Sequence, residues 1–190
     1  MNPPSHLLIN AAIRRWVAPA SIRSSAFLLG AILPDIPLTL LWIGAYVYEH
    51  YIRGDSSVRL MDERFDKLYF TDPLWIISYN GLHAPLILLA VLALLWPFRA
   101  ALGTHRHWLF WLAAGCLVHS MLDIPVHVHD GPLLLFPFDW NLRFQSPVSY
   151  WDRRYYGREF GMFEISLDSV LLLALFGPKL WQWLQKRMRF

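Results

Sequence analysis

His119, Asp123 and His127 stand four residues apart at the end of an apolar run that begins at Trp108 and is almost unbroken to Val118. No other feature narrows the fold as much. Such a run belongs in a core or in lipid, and ionisable side chains at its end must find partners, because a charge taken out of water alone is costly. On a helix, positions i, i+4 and i+8 share one face. Pro125 ends or kinks that helix between Asp123 and His127. Neutral imidazole nitrogen and carboxylate oxygen are the ligand types of Zn²⁺ and similar divalent metals, and spacings of three to five residues let one helix supply two of them. His129 and Asp130 follow immediately.

The rest of the chain explains why those groups look membrane-embedded. Of 190 residues 56% are hydrophobic, the mean hydropathy is +0.34, and the apolar residues come in blocks. One domain spanning 1–190 is expected. The single cysteine, Cys116, lies inside an apolar run, which excludes a disulfide framework and a thiolate metal site. The pI of 9.2 does not point to nucleic acid, since the basic residues flank apolar blocks as membrane-edge residues do. The start of the chain carries Arg14 and Arg15 after its apolar part, the reverse of a secretory signal, so the N-terminus is expected to be kept.

Taken in order, a short helix from His6 to Val17 with Ser5 as N-cap is too short to span a bilayer. An apolar run from Ser21 to Tyr48 follows and is interrupted by Pro34, Asp35 and Pro37. Residues 49–72 read as a charged surface loop that carries a short helix. Further crossings are expected from Asn80 to Phe98, from Trp108 to Asp123, and from Met162 to Leu184. The fold class is therefore all-α, a polytopic membrane helical bundle of four spans plus an N-terminal half-span.

Arg14, Arg15, Arg23, Arg99, Arg106, Lys179, Lys186, Arg187 and Arg189 crowd into short connections and tails without acids, which marks that side, with both termini, as cytoplasmic. At about 1.5 Å per helical residue, Asp35 lies roughly 18 Å above Arg23, His6 roughly 14 Å above Arg15, and His119 roughly 18 Å above His107. His83, Asp123, Glu164 and Asp168 fall in the same layer. Five segments thus bring ionisable groups to one depth, and mutual ligation of a metal offsets their cost. The metal ligand set is His6, Asp35, His83, His119, Asp123 and His127. His105 and His107 read as surface residues. Asp130 or Glu164 is the expected general base, and Asp152, Arg153 and Arg154 the expected clamp for an anionic substrate head.

A leading Ser5-His6, the segment GAILPDIP (30–37), His83, the pair His119 and Asp123, and LFPFDW (135–140) together resemble the family of LexA-regulated inner-membrane metal-dependent hydrolases, itself distantly similar to zinc-dependent phospholipase C. A subgroup resemblance extends through Asp123, Pro125, His127 and Asp130 to the run from Arg143 to Asp152. Pro37 stands where the commoner motif has a second Asp. The resemblance implies a bacterial inner membrane, a divalent metal such as Zn, and hydrolysis of an ester or phosphoester. A site at this depth that opens outward favours a membrane lipid or a lipid-linked substrate. The alternative is a non-enzymatic metal-binding or transport protein, for which a ligand set closed on all sides would argue.

Overall fold

Proline placement sets the helix boundaries. In the computed structural model, which describes residues 1–17, 22–54 and 58–188 apart from the side chains of 58–62 and 180, α1 spans Pro3–Trp16. Its two prolines occupy the first turn, where a missing N–H costs no helical bond. The helix therefore starts ahead of Ser5, and Ser5 is not its N-cap. Arg189 and residues 18–21, part of the basic side and of the following run, lie outside the described residues.

The run expected as the first crossing is divided in two. Helix α2 (Ser24–Leu29) ends at Gly30, a turn carries the chain to Pro34, and α3 (Asp35–Val47) continues into a π turn at Tyr48–Ile52. Residues 58–71, expected to be mostly loop, form α4 (Val58–Thr71). Helix α5 (Pro73–His83) starts from Asp72, whose carboxylate accepts from the Leu74 and Trp75 amides at 2.9 and 3.3 Å. It stops at Ala84, which is extended, and Pro85 opens α6 (Pro85–Leu95). The central α7 (His105–Asp123) and the long α8 (Gly157–Arg187) complete the architecture, with short 3-10 turns at Trp96–Phe98, Ile124–Val126 and Arg153–Tyr155.

The protein is all-helical, with no strand among the described residues beyond one bridge between Leu133 and Arg143. Among those residues, α7 extended to Val126 and α8 are long and apolar enough to cross a bilayer, and α5 with α6 makes a third such segment bent by 48°. The count is thus two or three, not plainly four and a half. The turn before Asp35 explains the difference, since neither α2 nor α3 alone meets the length and hydropathy of a crossing.

Helix α7 packs against α1, α2, α5 and α6. Its approach to α2 is a backbone contact: a Cβ on Gly30 would lie 2.8 Å from the Cys116 amide nitrogen, and one on Gly115 would lie 3.1 Å from the Gly30 Cα. Small residues are what permit two apolar helices to meet this closely. After α7 the chain folds back over its end. The Tyr150 amide donates to Val126 O at 2.9 Å, Ser146 Oγ to Pro125 O at 2.5 Å, and the Leu134 amide to Leu142 O at 2.9 Å.

Asn80 ties this loop to α5. Fully buried, it donates to Ile76 O at 2.8 Å and accepts from the Leu133 amide at 2.7 Å. Asn80→Leu strands the Leu133 amide without a partner and is expected to lower stability by about 1–3 kcal/mol, read as a fall in thermal midpoint in detergent. An unchanged midpoint would show that the amide finds another acceptor.

Helix α8 runs alongside α1. Asn2 meets Glu164, Ser5 meets Asp168, and Arg15 reaches the Leu175 carbonyl. Met1 consequently sits by the start of α8, while Lys186 and Arg187 stand at its far end. Met1 and Arg187 thus lie toward opposite ends of that helix, whereas the basic-residue pattern places both termini on one side.

Candidate metal centre

Four side chains from three elements converge. Asp35 opens α3, His83 closes α5, and His119 and Asp123 lie one turn apart at the end of α7. One ligand atom from each lies within 4.8 Å of the others. His119 Nε2 is 3.1 Å from Asp123 Oδ2 and 3.4 Å from Asp35 Oδ1, and His83 Nε2 is 3.4 Å from Asp35 Oδ1. Both imidazoles are fully buried.

The outer hydrogen bonds decide what those imidazoles present. His83 Nδ1 bonds to Tyr79 O at 2.8 Å and His119 Nδ1 to Ala31 O at 2.8 Å. A carbonyl only accepts, so each Nδ1 carries the proton and each Nε2 presents its lone pair inward. Those two nitrogens face each other across 3.1 Å. Two lone pairs and two carboxylates pointed at one volume are balanced by positive charge, supplied by a metal ion or by a proton on one imidazole. This donor set, oriented by backbone carbonyls, fits a divalent metal.

The carbonyl acceptors arise from the local fold. Tyr79 lies one turn before His83 in the same helix, and its ring stacks on the imidazole at 4.0 Å. Ala31 has its carbonyl turned to α7 because α2 ends at Gly30. Ser120 Oγ bonds to the His83 carbonyl and so fixes the end of α5 on α7.

Asp123 has a second side. Its Oδ1 lies 2.6 Å from the Met1 nitrogen, 3.0 Å from His6 Nε2 and 3.8 Å from His127 Nε2. His6 is fully buried and stacks on His119 with centroids 3.7 Å apart. His6 and His127 are thus brought to Asp123 but not into the four-residue group. Behind His127, Asp130 Oδ2 sits 3.1 Å from Nδ1 and accepts from Trp151 Nε1 at 2.9 Å. Burial alone would push this carboxyl upward in pKa, but the His127 and Trp151 contacts outweigh it and hold Asp130 below the usual carboxylate range.

No family model, curated protein or solved structure matches this chain. The chemistry of the site is therefore argued from its geometry.

A cavity of about 760 Å³ adjoins the cluster, with Asp35 and Asp123 in its wall beside residues of α3, α4 and the 127–154 loop. Asp130, His127, Asp152 and Arg154 line it; Glu164 and Arg153 do not. Arg154 is held in a fork by Asp152, with contacts of 2.7 and 3.1 Å. The expected anionic clamp is therefore largely spent on its own neighbour. His107, expected at the surface, is 2% exposed, because Thr104 caps α7 and turns its first face inward.

Glu164 is 2% exposed and accepts from the Asn2 amide at 2.7 Å and the Asn2 side chain at 2.6 Å. Glu164→Ala is expected to cost about 2 kcal/mol of stability, whereas Glu164→Gln, which keeps a carbonyl acceptor, restores most of it. Thermal unfolding of both variants checks this assignment. A Gln variant as stable as wild type yet without any catalytic turnover would return Glu164 to the role of base.

Proposed function

We propose that the chain is a membrane-embedded metal-dependent hydrolase of the LexA-regulated inner-membrane type. It acts on an ester or phosphoester of a lipid or lipid-linked substrate. Asp35, His83, His119 and Asp123 would hold the metal, with Zn the element best suited to two nitrogen and two oxygen donors. The observation that carries the reading is the pair of buried Nε2 lone pairs facing two carboxylates beside an open cavity. A bound divalent ion supplies Lewis acidity toward a substrate oxygen and toward water.

The chain's own residues supply the rest. Asp130 Oδ2, at the cavity wall, is the candidate proton acceptor, and His127 and Trp151 orient it. Trp42, Phe70 and Trp151 border the cavity, and an apolar wall strengthens the polar interactions beside it. In the bilayer, α1 would be a half-span, α2 with α3 one broken crossing, α5 with α6 a bent one, and α7 and α8 two more. The basic ends of α1 and α8 would face the cytoplasm of a bacterial cell. The cavity on one side of the ligand group favours catalysis over a closed storage site.

The test is hydrolysis by detergent-purified protein of mixed phospholipid micelles and of a soluble phosphodiester, before and after chelation. Turnover that chelation removes and Zn²⁺ restores is the expected result. Absence of turnover on both substrates by metal-loaded protein would reject the hydrolase and leave a metal-binding protein.

A further inference from the structure

Most donors along the cavity beside the metal centre are already engaged. The Met1 ammonium meets Asp123 at 2.6 Å, Arg154 meets Asp152 at 2.7 Å, and Trp151 Nε1 donates to Asp130 at 2.9 Å. The Tyr69 hydroxyl donates to Asp130 O at 2.5 Å and that of Thr39 to Asp35 O at 2.8 Å. Among the described lining residues, Trp42, His129 and Tyr150 keep a side-chain donor with no hydrogen-bond partner in the protein. Trp42 and His129 are exposed, whereas Tyr150 is half-buried. A negatively charged oxygen brought to this wall therefore finds the cations spent and a phenol free.

The loop after α7 fixes where that phenol stands. Its ring tilts against His127 with centroids 4.9 Å apart, and His127 Nε2 lies 3.8 Å from Asp123 Oδ1. The Tyr150 amide is tied to Val126 O at 2.9 Å, just past Asp123, and the Ser149 amide to Tyr155 O at 2.8 Å. Ser149 Oγ accepts from the Trp151 and Asp152 amides at 3.3 and 3.0 Å, which holds the chain on the other side of the ring. Burial first, and then the carboxylates of Asp123, Asp130 and Asp35, keep the phenol above its ordinary range. The hydroxyl therefore stays a donor, and it stands close enough to both ligand carboxylates to feel their charge. A donor set in place by the fold needs no reorganisation when negative charge grows beside it.

We propose that Tyr150 is a catalytic hydrogen-bond donor, whose hydroxyl meets the ester or phosphoester oxygen that gains negative charge when a substrate sits against Asp35 and Asp123. The catalytic role rests on the hydrolase reading; the capacity to hold a tetrahedral oxyanion at this place does not. The phenol donates a hydrogen bond and keeps its proton, so no bond at Tyr150 is made or broken. It gives the cavity a neutral donor where the sequence pointed to a cationic clamp at Arg153 and Arg154.

The experiment uses the full chain in detergent, loaded with Zn²⁺ and freed of excess metal, and titrates it with inorganic phosphate in a calorimeter. Tyr150→Phe keeps the ring against His127 and removes the hydroxyl alone; it is expected to weaken phosphate about tenfold to a hundredfold while metal content and thermal midpoint stay at wild-type values. Trp42→Phe and His129→Gln, which remove the other two free donors, should bind phosphate as the wild type does. Unchanged affinity in Tyr150→Phe, an equal loss in all three variants, or no phosphate binding by the wild type overturns the donor. Loss of metal in Tyr150→Phe also overturns it, because the residue would then be a support of the centre. A second arm follows phosphodiester hydrolysis, in which Tyr150→Phe should lower kcat about a hundredfold or more with KM changed far less. Hydrolysis by the wild type that Tyr150→Phe leaves intact would uphold the hydrolase and reject the donor. Phosphate binding that depends on Tyr150 without any hydrolysis would uphold the oxyanion contact and reject the hydrolase.

Discussion

Alanine at both His119 and Asp123 is expected to take bound divalent metal from close to one equivalent per chain to less than about a tenth. The two residues contribute two of the four donor atoms within 4.8 Å. Loss of one partner from such a group leaves the others as a weak, poorly oriented pair, because the geometry depends on all of them. The variant also removes the imidazole that stacks on His6 and the carboxylate that meets Met1 and His6, so its thermal midpoint should fall as well. Stability and ligation are separated by a second measurement. Wild-type protein titrated with Zn²⁺ should rise in stability by about 2.7 kcal/mol at one hundred times the dissociation constant, and the double variant should show no rise. Elemental analysis after purification without chelator, followed by the titration, checks both. A wild-type protein that carries no metal and gains no stability from Zn²⁺ or Mn²⁺ would show that these groups only hydrogen-bond one another.

The difference between this centre and its outline in the sequence is instructive. The i, i+4 pair of His119 and Asp123 is visible because helical period alone puts both on one face. Asp35 and His83 are visible because a carboxylate between prolines and a histidine before Pro85 are expensive in apolar runs unless they have partners. The all-helical class follows from the same apolar blocks. The number of crossings is less visible, since hydropathy averages over the turn at residues 30–34 that the backbone does not cross as one helix. The roles of Glu164 and Arg154 were out of reach of spacing arguments. Glu164 spends its oxygens on Asn2, 162 residues away in sequence, and Arg154 bonds Asp152 through a local turn. Neither partner leaves a periodic trace. The carbonyls of Tyr79 and Ala31, which set the imidazole tautomers, leave no side-chain signature at all.

Gly115→Ala is the substitution expected to do the most harm without touching a ligand. The added Cβ would meet the Phe27 carbonyl oxygen and lie 3.1 Å from both the Phe27 carbonyl carbon and the Gly30 Cα. These are backbone atoms, which cannot rotate away as a side-chain end can. Helices α2 and α7 would have to separate, and Asn10, buried and bonded to the Phe27 carbonyl at 3.1 Å, would lose its place in the contact. Overpacking of this kind costs about 3 kcal/mol. The separation also carries Ala31 away from His119, whose Nδ1 it holds at 2.8 Å. The imidazole then loses the bond that fixes its tautomer, and metal affinity should drop by about tenfold to a hundredfold. Gly161→Ala is the control, because a Cβ there meets nothing within 4 Å and alanine in an α8 turn should stabilise by about 0.5–1 kcal/mol. Thermal melts and Zn²⁺ titrations of the two variants side by side test the coupling. A Gly115→Ala protein that is destabilised yet binds metal as tightly as wild type would show that the Ala31 carbonyl does not orient His119.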